Sequence, residues 1–157
     1  MQIKNIFTIC LLLFVAAAIT VLTVKSLRSG PQSASAEPTI QNGVVVYYFH
    51  GNTRCPTCRN IEAYAHEAVE SGFADELKNK QILWQVINYE TPGNEHFAAD
   101  YEFVAPIVVL VMFKHGKQVK WKGLPEVWSL VGNKDDFFKY VQAEIQVYLD
   151  DKKTASR

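Results

Sequence analysis

Cys55 and Cys58 stand three residues apart in the run Arg54-Cys55-Pro56-Thr57-Cys58-Arg59. Two thiols at that spacing reach each other when the second lies in the first turn of a helix. Such a pair can cycle between a dithiol and a disulfide. Proline is favoured at the first helical position, so Pro56 places Cys55 at the helix cap and Cys58 inside the first turn. The unpaired N–H groups and partial positive charge of a helix N-terminus stabilise a thiolate at Cys55. Arg54 and Arg59 flank the pair and tune the same thiol, and His50 adds positive charge when protonated. The more exposed Cys55 is expected to attack, and Cys58 to resolve the mixed disulfide.

The two cysteines admit other chemistry. A C-x-x-C pair is half of a four-ligand zinc site, which makes a metal-binding or metal-transfer module the alternative function. His50 and His66 are the candidates to complete it, but His66 lies eight residues beyond Cys58, more than two helical turns away. A purely structural disulfide of this span constrains little of the unfolded chain. A docking subunit with a vestigial dithiol is a third reading. The sequence has no Gly-rich phosphate loop and no paired carboxylates at catalytic spacing, so no cofactor is expected and no metal ligands are assigned. Lys114, Lys117, Lys120 and Lys122 read as the solvated face of a hairpin. Trp84, Trp121 and Trp128 read as packing residues.

The elements that must position the cysteines are legible on either side. Residues 44–49 (VVVYYF) form a continuous β-branched and aromatic run, as expected for a strand buried on both faces. A polar loop, 50–54, leads into a helix from Pro56 through Glu70, with Ile61, Ala65, Ala68 and Val69 on its apolar side. Ser71-Gly72 ends it, and 74–79 can form another turn. Residues 82–87 (ILWQVI) read as a second buried strand, and 94–101 as a short helix. Residues 107–113 (IVVLVMF) read as a third strand. His115-Gly116 is a tight turn into 117–122, where Val119 and Trp121 alternate with Lys120 and Lys122. Asn133 caps a last helix, with Phe137, Val141, Ile145 and Tyr148 as its stripe. The order is β-α-β-α-β-β-α, an α/β domain with parallel pairing first and an antiparallel hairpin last.

Composition bounds what this domain can be. The chain has 157 residues, 48% hydrophobic and 12% aromatic, enough for one packed core and too apolar for a disordered protein. Sixteen Lys and Arg balance sixteen Asp and Glu, so charge offers no reason to expect a nucleic-acid partner. Three cysteines are too few for a disulfide-stapled scaffold. The N-terminus is different in kind. Residues 7–24 are uncharged and apolar, and as a helix at ~1.5 Å per residue they nearly match a bilayer's hydrocarbon core. Residues 1–28 are therefore expected to be a transmembrane anchor. The alternative is a signal sequence cleaved after Ala34-Ser35-Ala36, which would leave a secreted protein. Lys4 on one side and Lys25 and Arg28 on the other leave the positive-inside rule undecided. The short N-terminal tail favours a domain on the extracytoplasmic, periplasmic side. Residues 29–41 read as a flexible linker, 42–151 as the folded domain and 152–157 as a tail.

The segments VVVYYFHGNTRCPTCR (44–59) and NYETPGNEHFAADYEFVAPIVVLVMFKHGK (88–117), with Gly123 before the closing helix, resemble the thioredoxin superfamily. Residues 47–65 are also similar to a smaller bacterial thioredoxin-like group named for a nitrophenyl compound nitroreductase subunit. No flavin or nitroaromatic site is visible, so that name is taken as a family label. The resemblance implies a thioredoxin fold, a central mixed sheet flanked by helices. It implies a thiol–disulfide oxidoreductase with Cys55–Cys58 as its redox-active disulfide and protein thiols and disulfides as partners. Pro106 would be a cis-proline facing the dithiol, and Ala105 would offer backbone groups to an extended substrate. By the same resemblance the domain works as a reductase, and outside the cytoplasm a membrane thiol-electron carrier would recharge it. Stabilisation of the Cys55 thiolate pulls the other way, since it favours the reduced form and makes a dithiol more oxidising. Thioredoxin has Trp where this chain has Arg54, and Gly-Pro where it has Pro56-Thr57. Its buried strand acid has no counterpart in 44–49.

Overall fold

The computed structural model of this chain describes residues 40–154. The apolar segment 7–24, the linker through residue 39 and the last three residues lie outside them. Among the described residues no helix is long and apolar enough to cross a membrane.

Four strands form one sheet in the order β2-β1-β3-β4. Strand β1 (Gly43–His50) pairs in parallel with β2 (Ile82–Asn88) and antiparallel with β3 (Ile107–Lys114), which pairs antiparallel with β4 (Lys117–Leu124). Helix α1 (Pro56–Gly72) and the short α2 (Ala74–Lys78) connect β1 to β2. The short α3 (His96–Asp100) lies between β2 and β3, and α4 (Val127–Leu130) and α5 (Lys134–Thr154) follow β4. This is the expected mixed α/β thioredoxin-like arrangement, with α4 as an additional turn of helix.

β1 is the centre. Every side chain from Val44 to Phe49 is buried, and the strand's period of two divides them between two cores. Val44, Val46 and Tyr48 pack with Ile61, Ala65, Ala68 and Val69 of α1 and with Phe137, Val141, Ile145 and Tyr148 of α5. These are the two apolar stripes read from the sequence. Val45, Tyr47 and Phe49 face an aromatic cluster with Phe97, Tyr101 and Phe103, in which Phe49 stacks on Phe103 at 4.9 Å between ring centroids.

Three local expectations need correction. Residues 82–87 were expected to be buried, but β2 is an edge strand with only Ile82 and Ile87 buried and Val86 40% exposed. Nothing pairs with its outer edge among the described residues. Val119 was expected on the dry face of the hairpin, yet it is 52% exposed. The ladder pairs Met112 with Lys120 and Phe113 with Gln118, so Val119 is the extra residue of a bulge. The peptide before Pro106 is trans, as are all those described. The chain turns instead through Glu102, at φ 51°, and bends at Val104 and Ala105. Proline then enters at a strand start, where its missing N–H is tolerated. The hairpin turn is as expected: His115 and Gly116, at φ 51° and 71°, have the left-handed geometry of a type I′ turn.

Tyr148 shows that the core is not fully satisfied. Its hydroxyl is buried without a hydrogen-bond partner, while Lys120 Nζ lies 4.6 Å from its ring centroid. Tyr148→Phe keeps the ring and removes the orphan hydroxyl, so it should leave stability unchanged or raise it by about 1 kcal/mol. Phe137→Ala, at a fully buried position, should cost about 3–5 kcal/mol. Urea unfolding midpoints measure both; a destabilised Tyr148→Phe would show that its hydroxyl is satisfied in solution.

Candidate functional site

Cys55 is the N-cap of α1, in an extended conformation, and Pro56 occupies the first helical turn. The Cys58 N–H donates to Cys55 Sγ at 3.0 Å, so the sulfur takes the capping role usually filled by an oxygen. The two sulfurs are joined in a disulfide, with Cα atoms 5.0 Å apart. Cys58 is buried and Cys55 half-buried. No acidic residue lies in the first turn of α1 to oppose the helix-end field. A thiolate formed at Cys55 on reduction would inherit the Cys58 N–H as a donor, and incoming sulfur reaches Cys55 first.

Beneath the pair lies a group that the sequence pattern did not single out. The hydroxyl of the fully buried Tyr48 donates to the Cys58 carbonyl at 2.6 Å. It thereby ties β1 to the first turn of α1. Burial pushes the Tyr48 hydroxyl up from 10.0 to about 12; Arg54 draws it down, while Glu62 and Tyr89 push it up. The signal was present in retrospect: a tyrosine on the α1-facing side of a dry strand needs a hydrogen-bond partner.

Arg54 does not stand alone before Cys55. Its Nη2 donates to Glu62 Oε2, and the two side chains are 27% and 26% exposed. Arg54 Nε is buried without an acceptor. Glu62 follows Cys58 by four residues, one turn along the same helix face. Arg59 is exposed on α1. His50 places Nδ1 2.8 Å from the Gly51 carbonyl oxygen, and its ring stacks on Tyr48. His66 is directed elsewhere, stacked on Trp84 at 5.1 Å and 3.5 Å from Glu70. Among the described residues no three His, Cys, Asp or Glu side chains converge as metal ligands would.

A polar network holds the loop that precedes the dithiol. Asn88 Nδ2 donates to Asn52 Oδ1 at 2.8 Å, and the Asn52 N–H donates to Glu90 at 2.8 Å. Buried Asn94 donates to the Asn88 carbonyl at 2.9 Å. The loop after β2 thus fixes the loop after β1. On the other side of β1, Phe49 pairs with Ile107, so the register sets Pro106 beside His50 at the end of the sheet from which the dithiol loop leaves. Val104 and Ala105 are exposed there. The indole N–H of Trp128, 37% exposed on α4, donates to the Pro106 carbonyl at 2.8 Å. Sequence reading took Trp128 for packing; it did not anticipate α4, which carries it.

No family model and no curated protein sequence matches the chain. Among solved structures it is similar to a thioredoxin from Fasciola hepatica, at 19% identity over 66% of this chain and 82% of that one, with a TM-score of 0.39. A thioredoxin from Thermus thermophilus is 18% identical over 64% of this chain and 72% of that one, with a TM-score of 0.41. The first two thioredoxin domains of Naumovozyma dairenensis Eps1p are 17% identical over 72% of this chain and 40% of theirs, with a TM-score of 0.43. Likenesses at this level do not carry the fold assignment, which rests on the strand order and register.

The Tyr48 hydroxyl makes a prediction about alkali. Its folded-state value lies above its free value, so its contribution is whole below pH 10 and is lost as pH rises to about 12. Tyr48→Phe should cost about 0.5–1.5 kcal/mol at neutral pH by removing the second hydrogen bond to the Cys58 carbonyl, which keeps its helical one. It should also flatten part of the alkaline fall in stability. An unchanged alkaline limb in urea titrations would show that Tyr48 ionises as freely in the folded state as in the unfolded one.

Proposed function

We propose that this chain is a thiol–disulfide oxidoreductase that reduces disulfides of partner proteins. The observation that carries the proposal is the Cys55–Cys58 pair across the first turn of α1, with Cys55 the more accessible sulfur and the Cys58 N–H aimed at it. In the reduced protein the Cys55 thiolate attacks one sulfur of a partner disulfide, and the other leaves as a thiolate. Cys58 then gives up its proton and attacks Cys55 Sγ. The partner's second sulfur departs as a thiolate, and the Cys55–Cys58 bond closes. The partner gains two electrons and the domain loses two. A dithiol donor must return them; for a domain held at a membrane on its extracytoplasmic side, a membrane thiol-electron carrier has the required chemistry.

Arg59 supplies positive charge around the attacking sulfur, and Arg54, paired with Glu62, supplies a reduced share. Ala105 offers backbone groups to an extended partner segment from the sheet end beside the dithiol, Pro106 shapes the chain there with its carbonyl held by Trp128, and exposed Val104 gives that segment an apolar neighbour. The tether in this proposal is the apolar segment 7–24; cleavage after residues 34–36 would instead release the domain as a secreted protein. A topology reporter fused after Arg157 distinguishes the two sides of the membrane. The likeness of residues 47–65 to the nitrophenyl compound nitroreductase group enters only as family kinship within thiol chemistry.

Reduction of insulin disulfides by the dithiol-reduced protein is the direct assay, and Cys55→Ser should abolish it. Cys58→Ser should accumulate mixed disulfides through Cys55, visible on non-reducing gels. Absence of such adducts in the native membrane, with inert insulin, would overturn the function. A further prediction concerns Trp128. Trp128→Phe removes the donor to the Pro106 carbonyl, so KM for a protein disulfide should rise by roughly tenfold at most, from a hydrogen bond of about 0.5–1.5 kcal/mol. Turnover of a small-molecule disulfide should stay unchanged; equal losses on both substrates would assign Trp128 to general stability.

A further inference from the structure

Arg54 was read from sequence as a free cation next to Cys55, but the geometry gives it a counter-ion. We propose that Glu62 is a positioning residue that holds the Arg54 guanidinium away from the Cys55 sulfur and so keeps the dithiol reducing. The inference rests on the oxidoreductase reading of the same site and adds what sets its direction.

Three observations lead to it. First, Glu62 sits on α1 one turn beyond Cys58 and two turns beyond Cys55, so its carboxylate flanks the pair along the helix rather than across a cleft. Second, the guanidinium that it binds belongs to the residue immediately before Cys55, and both partners are about three-quarters shielded from water. Screening at that depth is weaker than on an open surface, so occupying the cation matters. Third, Arg54 keeps a buried Nε–H without an acceptor. Reduction creates an anion one residue away. With Glu62 in place, the guanidinium is already committed to a carboxylate. Without it, an under-used cation faces the new thiolate.

The other groups around this cluster do not replace Glu62. Tyr48 reaches from β1 to the Cys58 carbonyl with a hydroxyl that stays neutral below pH 10. Tyr89, after β2, acts on Tyr48. His50 is placed against the Gly51 carbonyl oxygen, and Arg59 lies exposed on the helix surface. Glu62 is the carboxylate placed on Arg54. Its effect is to cancel a charge that would otherwise stabilise the Cys55 thiolate, and a stabilised thiolate makes a dithiol a poorer reductant.

The test uses the full chain in detergent with the third cysteine, in the apolar segment 7–24, replaced (Cys10→Ala), so that only the dithiol is read. Glu62→Gln should lower the pH midpoint of Cys55 alkylation by iodoacetamide. It should also favour the reduced form about tenfold in equilibrium with glutathione, equivalent to a rise of about 30 mV for this two-electron couple. Arg54→Met should move both readouts the other way, because it removes what remains of the guanidinium's field beside the thiolate. The double variant should match Arg54→Met, since Glu62 acts on the thiolate through the guanidinium. Glu62→Ala serves as a second variant with the same expected direction should Glu62→Gln fail to fold. An unshifted midpoint and potential in a folded Glu62 variant would overturn the inference, as would the same shift appearing in the Arg54→Met background. Both readouts come from the protein's own cysteines. Inert insulin with intact shifts would therefore count against the function, and active insulin reduction without shifts would count against Glu62.

Discussion

The strand β1 pairs on both edges and is covered on both faces, and this double burial is what gives the site its geometry. A strand held by parallel β2 and antiparallel β3 cannot slip register without carrying Val44, Val46 and Tyr48 out of one core and Val45, Tyr47 and Phe49 out of the other. Its C-terminal end is therefore a fixed point. The polar loop from Gly51 to Arg54 begins there, and the Asn88–Asn52–Glu90 contacts hold that loop to the end of β2. α1 begins where the loop ends, docked through Ile61, Ala65 and Ala68 on the same sheet face. The cap sulfur of Cys55 thus stands at the end of a chain of constraints that starts in two hydrophobic cores.

Local charge then acts on a sulfur already in place. The N-terminal end of α1 presents its Cys58 N–H to Cys55, which favours a thiolate whichever way electrons flow. Left unopposed, Arg54 would add to that preference and move the dithiol toward oxidation of partners. Its pairing with Glu62 removes part of the cationic field while leaving the helix-end donor intact. Arg59, exposed to water, is screened and contributes less. Attack and poise are consequently set by different groups: the backbone donor prepares the nucleophile, and the side-chain ion pair limits how far the reduced state is favoured.

The stripes of α1 and α5, the dry strand β1 and the Pro56 helix start were legible in the sequence because each is a local pattern with one physical reading. The edge position of β2 was not, since an apolar run such as ILWQVI has the same composition whether a neighbour covers its outer edge or not. Val119 alternates as a paired strand residue would, and a bulge is set by the facing register of β3 rather than by the run that contains it. The trans peptide before Pro106 reverses an expectation taken from family resemblance and not from the residues themselves. At the site, the cysteines declared themselves by spacing. Glu62 did not, because a glutamate in a helix four residues from a cysteine is ordinary; its meaning comes from an arginine eight residues earlier, across the helix start.

The choice of Tyr48 beneath the dithiol bears on this division of roles. A carboxylate buried at that point would need its own counter-charge, because an unpaired ion in a shielded core is far more costly than a neutral hydroxyl. A neutral donor to the Cys58 carbonyl fixes the first turn without placing a negative charge under either sulfur. The carboxylate of Glu62 is instead placed on the quarter-exposed flank of α1, where Arg54 already supplies a partner. That position lets Glu62 work on the arginine's field rather than directly on the sulfurs, so a change at Glu62 acts on the thiolate chiefly through Arg54. A core tyrosine and a flanking ion pair thereby separate what holds the helix start from what sets its charge, and either can vary without dismantling the other.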